Sequence, residues 1–200
     1  INNIFNLMEK GKYKLAAKTD EHREEENRDI DWDGILMRSN KYFNAGVLFI
    51  NYKEWLSDDI FNKLQRRQTD IKDKIYFWDQ DILNSFFDGD YLELEEKFNY
   101  RVGLDNSGQK YRETMENSIL IHYQGSWKPW SIRGALTENS RFYHSYFREL
   151  GFGEYHLLHT WKLNGLFHLF IGLVTFKFLK TEKPIIFLIE CFKSLSKNKN

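Results

Sequence analysis

The chain has 200 residues, and its 29 lysines and arginines balance 29 aspartates and glutamates. From Lys162 on, however, seven lysines face only Glu182 and Glu190, a net of +5, which leaves −5 for residues 1–161. That length allows one domain, or one domain plus a tail, and the charge split excludes a nucleic-acid binder with a basic body while placing a basic segment at the end.

In chain order, residues 1–8 read as a short helix or turn, with Ile4, Phe5 and Met8 at helical spacing. Residues 13–17 read as a strand. The stretch 19–33 is dense in carboxylates without ligand-like spacing, so it reads as a solvated loop. Asp20 is singled out in it because it follows a strand end. Residues 43–51 form a near-continuous apolar run, as expected of a strand covered on both faces. A helix over 53–67 then puts Leu56, Ile60 and Leu64 on one stripe. Asp79 stands at the N-cap of the next helix, which carries Ile82, Leu83 and Phe86 inward and ends near Gly89. Residues 91–96 alternate as a half-exposed strand, residues 119–123 supply another, and 140–150 close the folded part with an aromatic helix. Mixed elements of these lengths predict an α/β fold.

Three stretches carry chemistry. Asp79-Gln80-Asp81 opens a helix, where acids stabilise the positive end of the dipole by about 0.3–1 kcal/mol; the glutamine between them is left unexplained by that role. Asn44 precedes the small residues Ala45 and Gly46, which leave room beside the backbone. His122 ends an apolar run and leads into Gly125, Ser126, Trp127, Lys128, Pro129 and Trp130. That loop suits a phosphorylated ligand. The glycine lets the backbone approach, the lysine supplies a mobile cation, and the histidine is a metal-type ligand. Tyr42, Trp78, Trp127 and Trp130 either stack on a ligand ring or pack a core.

Taken together, Tyr42-Phe-Asn-Ala-Gly-Val-Leu-Phe-Ile-Asn51, Trp78-Asp-Gln-Asp-Ile-Leu-Asn84 and His122-Tyr-Gln-Gly-Ser-Trp-Lys-Pro-Trp130 resemble, in order, the signatures of glycosyltransferase family 8. The resemblance covers about residues 1–150. It implies retaining transfer of galactose or glucose from a UDP-sugar to a saccharide acceptor such as lipopolysaccharide core. It implies contacts to the donor sugar or acceptor from Asn44, Ala45, Asp79, Gln80 and Asp20, with Asp79 and Gln80 catalytic. Residues 125–130 would hold the nucleotide diphosphate, and His122 would be one ligand of Mn²⁺. The family's metal site also needs an Asp-x-Asp pair after an earlier strand, and no such pair stands in the expected place. The chain is therefore expected to be the second half of a glycosyltransferase A-type, Rossmann-like domain (residues 1–155) with its N-terminal half missing. The alternative is a catalytically inactive remnant, or a membrane-associated binding module.

Residues 156–200 read as a helical, basic and aromatic tail. Its apolar run 163–176 is shorter than the roughly 20 residues that span a bilayer, and Pro184 breaks any continuing helix. Two readings stay open for 163–199: packing on the missing first half of the domain, or binding of a membrane surface through apolar side chains and lysines. With the lone Cys191 excluding an internal disulfide and fitting a reducing compartment, the expected location is cytoplasmic, peripheral on the inner face of the membrane.

Overall fold

A ten-residue apolar strand, β4 (Lys41–Ile50), is the spine of the first part of the molecule. In the computed structural model, residues 1–22, 30–103, 111–125, 128–158 and 162–196 are described. They divide into two units, Ile1–Asn99 and Tyr100–Asn200, and both mix helices with strands, an α/β composition.

In the first unit, β1 (Leu15–His22) lies between β4, antiparallel, and the short β5 (Leu92–Glu93), parallel. Helix α1 (Asn2–Gly11) buries Ile4 and Met8. Helices α2 (Tyr52–Ser57), α3 (Ile60–Ile71) and α4 (Asp79–Phe87) follow β4. Leu15, Ala17, Phe43, Ile60, Phe87 and Tyr91 form one core cluster. A second gathers Ile30, Trp32, Ile35, Met37, Tyr42 and Ile71 around the hairpin of β2 (Ile30–Trp32) and β3 (Ile35–Met37). There Trp32 stacks on Tyr42 with ring centres 5.1 Å apart.

The pairing of β1 with β4 is irregular where it matters. Ala16 faces Phe49 and Lys18 faces Asn44, so four residues of β4, numbers 45–48, stand against the single Ala17. A second slip lets Asp20 stand as an extra residue between Thr19, opposite Phe43, and Glu21, opposite Tyr42. Such bulges bend a strand and re-aim side chains. They also release backbone groups from the ladder, and those groups need other partners. Asn84, 1% exposed, is such a partner for the strand's outer edge: its amide accepts from Phe43 N–H at 2.7 Å and donates to Phe43 C=O at 2.8 Å. One side chain thus replaces the neighbouring residue of a missing strand.

The second unit holds a parallel pair, β6 (Tyr100–Gly103) and β7 (Ile121–Gln124), with α5 (Tyr111–Asn117), α6 (Ile132–Ala135) and α7 (Ser140–Glu149). Helices α8 (Lys162–Val174) and α9 (Pro184–Ser196) complete it. Its core is Ile132, Ala135, Tyr155, Leu157, Leu169, Phe187 and Cys191. Gly172 allows close packing on α6, because a Cβ there would lie 2.8 Å from the Leu136 side chain. Cys191 is fully buried, and burial raises its thiol pKa.

Several expectations need correction. The helix expected over 53–67 is two, because Asp59 takes a left-handed conformation (φ 52°) and Asp58 is held by Lys14 at 2.9 Å. Leu56 therefore faces solvent rather than the core. Asp79 is not the N-cap: Trp78 holds that position, and Asp79 is the first helical residue. Within the stretch expected as a solvated loop, residues 19–22 extend β1 and Ile30 and Trp32 are buried; residues 23–29 lie outside the described residues. Ile119, expected to be buried, is exposed, and β7 begins at Ile121. The expectation for Pro184 holds: α8 ends at Val174, no helix runs through the proline, and it opens α9 instead, where its missing N–H costs nothing.

Replacing Asn84 with Ala should leave the N–H and C=O of Phe43 buried without partners. At about 1–3 kcal/mol for each such group, the expected loss of stability is about 3 kcal/mol, measured by urea unfolding.

Candidate active site

The bulge in β4 builds the cluster of candidate residues in the first unit. Ala45 N–H, out of register with β1, donates to Gln80 Oε1 at 3.0 Å. Asn44, 5% exposed, sits just before the bulge. Its Oδ1 accepts from Gly46 N–H at 2.9 Å and from Asn99 Nδ2 at 3.2 Å, and its Nδ2 donates to Asp20 at 3.4 Å. Asp20 is aimed there by its own bulge. Of the five expected residues in this unit, Asp20, Asn44, Ala45 and Gln80 thus form one connected set. Asp79 is exposed at the start of α4 and, among the described residues, has no hydrogen-bond partner.

The Tyr42 hydroxyl, close to the Gln80 side chain, donates to Asp81. Burial, then the bond to Asp81, raises the Tyr42 pKa, so the phenol stays protonated. Asp81 further accepts from Tyr76 N–H at 2.7 Å and Phe77 N–H at 2.6 Å. Asn84 donates to Gln80 C=O at 2.9 Å, one helical turn back. Asn84, Asn99 and the Tyr42 hydroxyl escape a search for reactive groups because carboxamides and a phenol are poor nucleophiles and ligands, and Asp81 reads in the sequence as a partner of the helix dipole rather than as a support. One signal was available: Gln80 and Asn84 are four apart on a helix and so share a face.

In the second unit, His122 lies on β7, opposite Arg101 of β6, and is half-buried. The chain turns at Gly125, whose φ of 81° suits glycine; Ser126 and Trp127 lie outside the described residues. Lys128 Nζ donates to Tyr123 C=O at 2.6 Å, closing the loop and leaving two donors on the ammonium. Ser131 N–H donates to Lys128 C=O at 2.9 Å. Pro129 C=O accepts from His144 Nε2 at 2.9 Å, Trp130 C=O accepts from Leu158 N–H, and the Trp130 ring lies 5.5 Å from Tyr143. Among the described residues no three His, Cys, Asp or Glu side chains converge on one point. His122 offers one imidazole, and these residues alone do not fit a Mn²⁺ shell.

The description "Glycosyl transferase family 8" belongs to the family model that matches residues 1–133. Glycosyltransferase GlyE of Streptococcus pneumoniae serotype 4 is 33% identical over 96 residues, which cover 44% of this chain and 24% of that protein. Lipopolysaccharide 1,2-glucosyltransferase of Escherichia coli K12 is 32% identical over 113 residues, 52% of this chain and 32% of that protein. The crystal structure of galactosyltransferase LgtC in complex with donor and acceptor sugar analogs aligns with a TM-score of 0.47 and 28% identity, over 69% of this chain and 51% of that one. The matched part therefore spans about half the length of these relatives or less.

His144 is 1% exposed, and its Nε2 must carry the proton because a carbonyl can only accept. Burial lowers its pKa from the usual 6.5 to about 4 against the opposing pull of Pro129 C=O, with Arg148 and His156 adding to the depression. The unfolded chain takes up a proton near pH 6.5 and the folded one only near 4. This contribution is therefore complete above pH 6.5 and is lost as pH falls toward 4, by up to about 3 kcal/mol. Urea unfolding at intervals between pH 7 and 4 should show the slope, and His144→Gln, which keeps a donor for Pro129, should flatten it.

Proposed function

Because the chain belongs to glycosyl transferase family 8, by the match over residues 1–133, we propose that the protein transfers galactose or glucose from a UDP-sugar to a saccharide acceptor, such as lipopolysaccharide core, with retention of configuration. The observation that carries this reading is the carboxamide of Gln80, held by Ala45 N–H beside buried Asn44. An amide oxygen is a poor nucleophile, and this one already accepts a hydrogen bond. It is better suited to stabilising charge than to forming a covalent glycosyl-enzyme of the kind made by retaining hydrolases. In the proposed step the bond from the anomeric carbon to the diphosphate breaks and the bond to the acceptor oxygen forms on the same face. The departing diphosphate takes the acceptor's proton. Gln80 directs its remaining lone pair at the positive charge that develops between, and being held in advance it needs little reorganisation. Asn44, Ala45 and exposed Asp79 bind hydroxyls of the donor sugar, and Asp20 meets the acceptor. Lys128, with two donors left, and the loop 125–130 bind the diphosphate. His122 supplies one imidazole toward Mn²⁺ if carboxylates from outside the described residues complete a shell; the ion would offset charge on the departing diphosphate.

The tail extends the same reading to the acceptor. The inner side of α8 and α9 packs in the core through Leu169, Phe187 and Cys191. The outer side presents Leu163, Phe167, Phe170 and Val174 on α8 and Ile185, Ile189 and Phe192 on α9, all exposed. Among the described residues no helix is long and apolar enough to cross a membrane. Apolar rows flanked by Lys162, Lys177, Lys180 and Lys193 suit the headgroup boundary of an anionic leaflet, where a lipid-linked acceptor would be met on the cytoplasmic face. Lys197 and Lys199 lie outside the described residues.

Gln80→Ala should lower turnover about 10²- to 10³-fold with UDP affinity nearly unchanged, measured as UDP release with UDP-galactose and UDP-glucose and as calorimetric UDP binding. Release at the wild-type rate would remove Gln80 from the mechanism, and no release by the wild type with any donor would favour the inactive remnant. For the tail, Phe167→Ser with Phe170→Ser should abolish sedimentation with vesicles containing phosphatidylglycerol at low salt, and equal sedimentation of variant and wild type would defeat the membrane reading.

A further inference from the structure

The turn that enters α4 carries a residue that the transfer chemistry leaves unused. Residues 77–80 form a tight turn closed by Gln80 N–H to Phe77 C=O at 3.1 Å. Trp78 takes φ 51° and ψ −119°, the angles of the first central residue in a type II′ turn, where glycine is the rule. Lys12, Asp59 and Asp88 also have positive φ, but with ψ of 29°, 42° and 47° they lie in the left-handed helical well at helix ends. Trp78 lies outside that well, in a region costly for any side chain. The strain is imposed from within. Buried Asp81 holds the two preceding amides, Tyr76 and Phe77, at 2.7 and 2.6 Å, while Phe77 C=O holds Gln80 N–H.

The outcome of that strain is an aromatic ring held out in solvent. Trp78 is 80% exposed, and among the described residues its indole meets no ring, cation or hydrogen-bond partner. Tyr42 and Trp130, the other described aromatics weighed for stacking, are spoken for: Tyr42 is buried on Trp32, and Trp130 is half-buried against Tyr143. An exposed indole on a clamped backbone offers a flat apolar face and an N–H donor, a match for the C–H face and hydroxyls of a pyranose ring. It stands two residues from Gln80.

We propose that Trp78 is the stacking platform for the acceptor's pyranose ring, and so a specificity-determining residue of the transfer proposed above, on which this inference rests. The acceptor rather than the donor is assigned because Asn44, a donor contact proposed above, is buried at the β4 bulge, whereas Trp78 faces the solvent from which an acceptor arrives.

The test is Trp78→Gly, with Trp78→Phe beside it, in the protein that carries this chain. The donors are UDP-galactose and UDP-glucose, and the acceptor probes are lactose and maltose. Glycine suits the turn, so the melting temperature should hold or rise, while acceptor KM rises about tenfold, donor KM moves less than about twofold, and Phe restores most of the loss. A lower melting temperature for the glycine variant would mean that the indole serves the fold, and would overturn the proposal. So would an unchanged acceptor KM, or a rise in donor KM instead. Binding of lactose, followed by saturation-transfer NMR, decides the platform without turnover. A wild-type signal lost in Trp78→Gly supports it, and a signal equal in both or absent from both overturns it. Absence of UDP release from the wild type, by contrast, sinks the transfer reading.

Discussion

The constraint on which the first unit depends is the obligation of backbone groups to find partners once β4 leaves its ladder. A strand that sets four residues against one gives up sheet bonds inside a core where an unpaired N–H or C=O costs about 1–3 kcal/mol. Carboxamides make good the loss because each carries a donor and an acceptor on one short arm. Gln80 does so for Ala45 and Asn44 for Gly46, while Asn84 meets Phe43 on the strand's outer edge, where no neighbouring strand lies among the described residues. The residues that satisfy the backbone are those that furnish the site. A group already bonded on one side has few orientations left, and this is how a glutamine on a helix becomes a fixed dipole.

Asp81 does for the entry to α4 what Asn84 does for its middle. An acid at that place in a helix is most simply a partner of the dipole. Here its carboxylate reaches back to two amides and takes the Tyr42 hydroxyl as well, joining the α4 entry to the β4 strand. Strain at Trp78 and order at Gln80 thus have one origin. A change at Asp81 would loosen both, although neither touches the carboxylate with its own side chain.

Much of the framework was legible in the residues. The apolar run of β4 needs only the covered-face rule and α7 follows from its aromatic spacing, whereas of the strand expected over 91–96 only Leu92–Glu93 forms and Glu96 opens a 3₁₀ turn. The hairpin of β2 and β3 was hidden because Ile30 and Trp32 are interleaved with Asp31 and Asp33, and a three-residue strand offers too short a period to read. The break between α2 and α3 turns on Asp59 adopting a left-handed conformation, which its neighbours do not announce. At the site, residues of reactive type stood out and their supports did not. Asn84 and Asn99 act through the backbone and one another, a role that follows from the bulge, and a bulge has no signature in hydropathy.

Cys191 has a consequence of a different kind. It is the one thiol in the chain, it lies on the inner side of α9 with none of its surface exposed, and burial holds its proton in place. The thiolate, which is the form that attacks disulfides and maleimides, is therefore scarce in the folded state. Any reagent that couples to this chain through sulfur must wait for α9 to lift away from Ile132 and Tyr155. Under slow labelling, the rate at which sulfur is captured becomes a direct reading of how often the last helix opens, at a single atom and without an introduced probe.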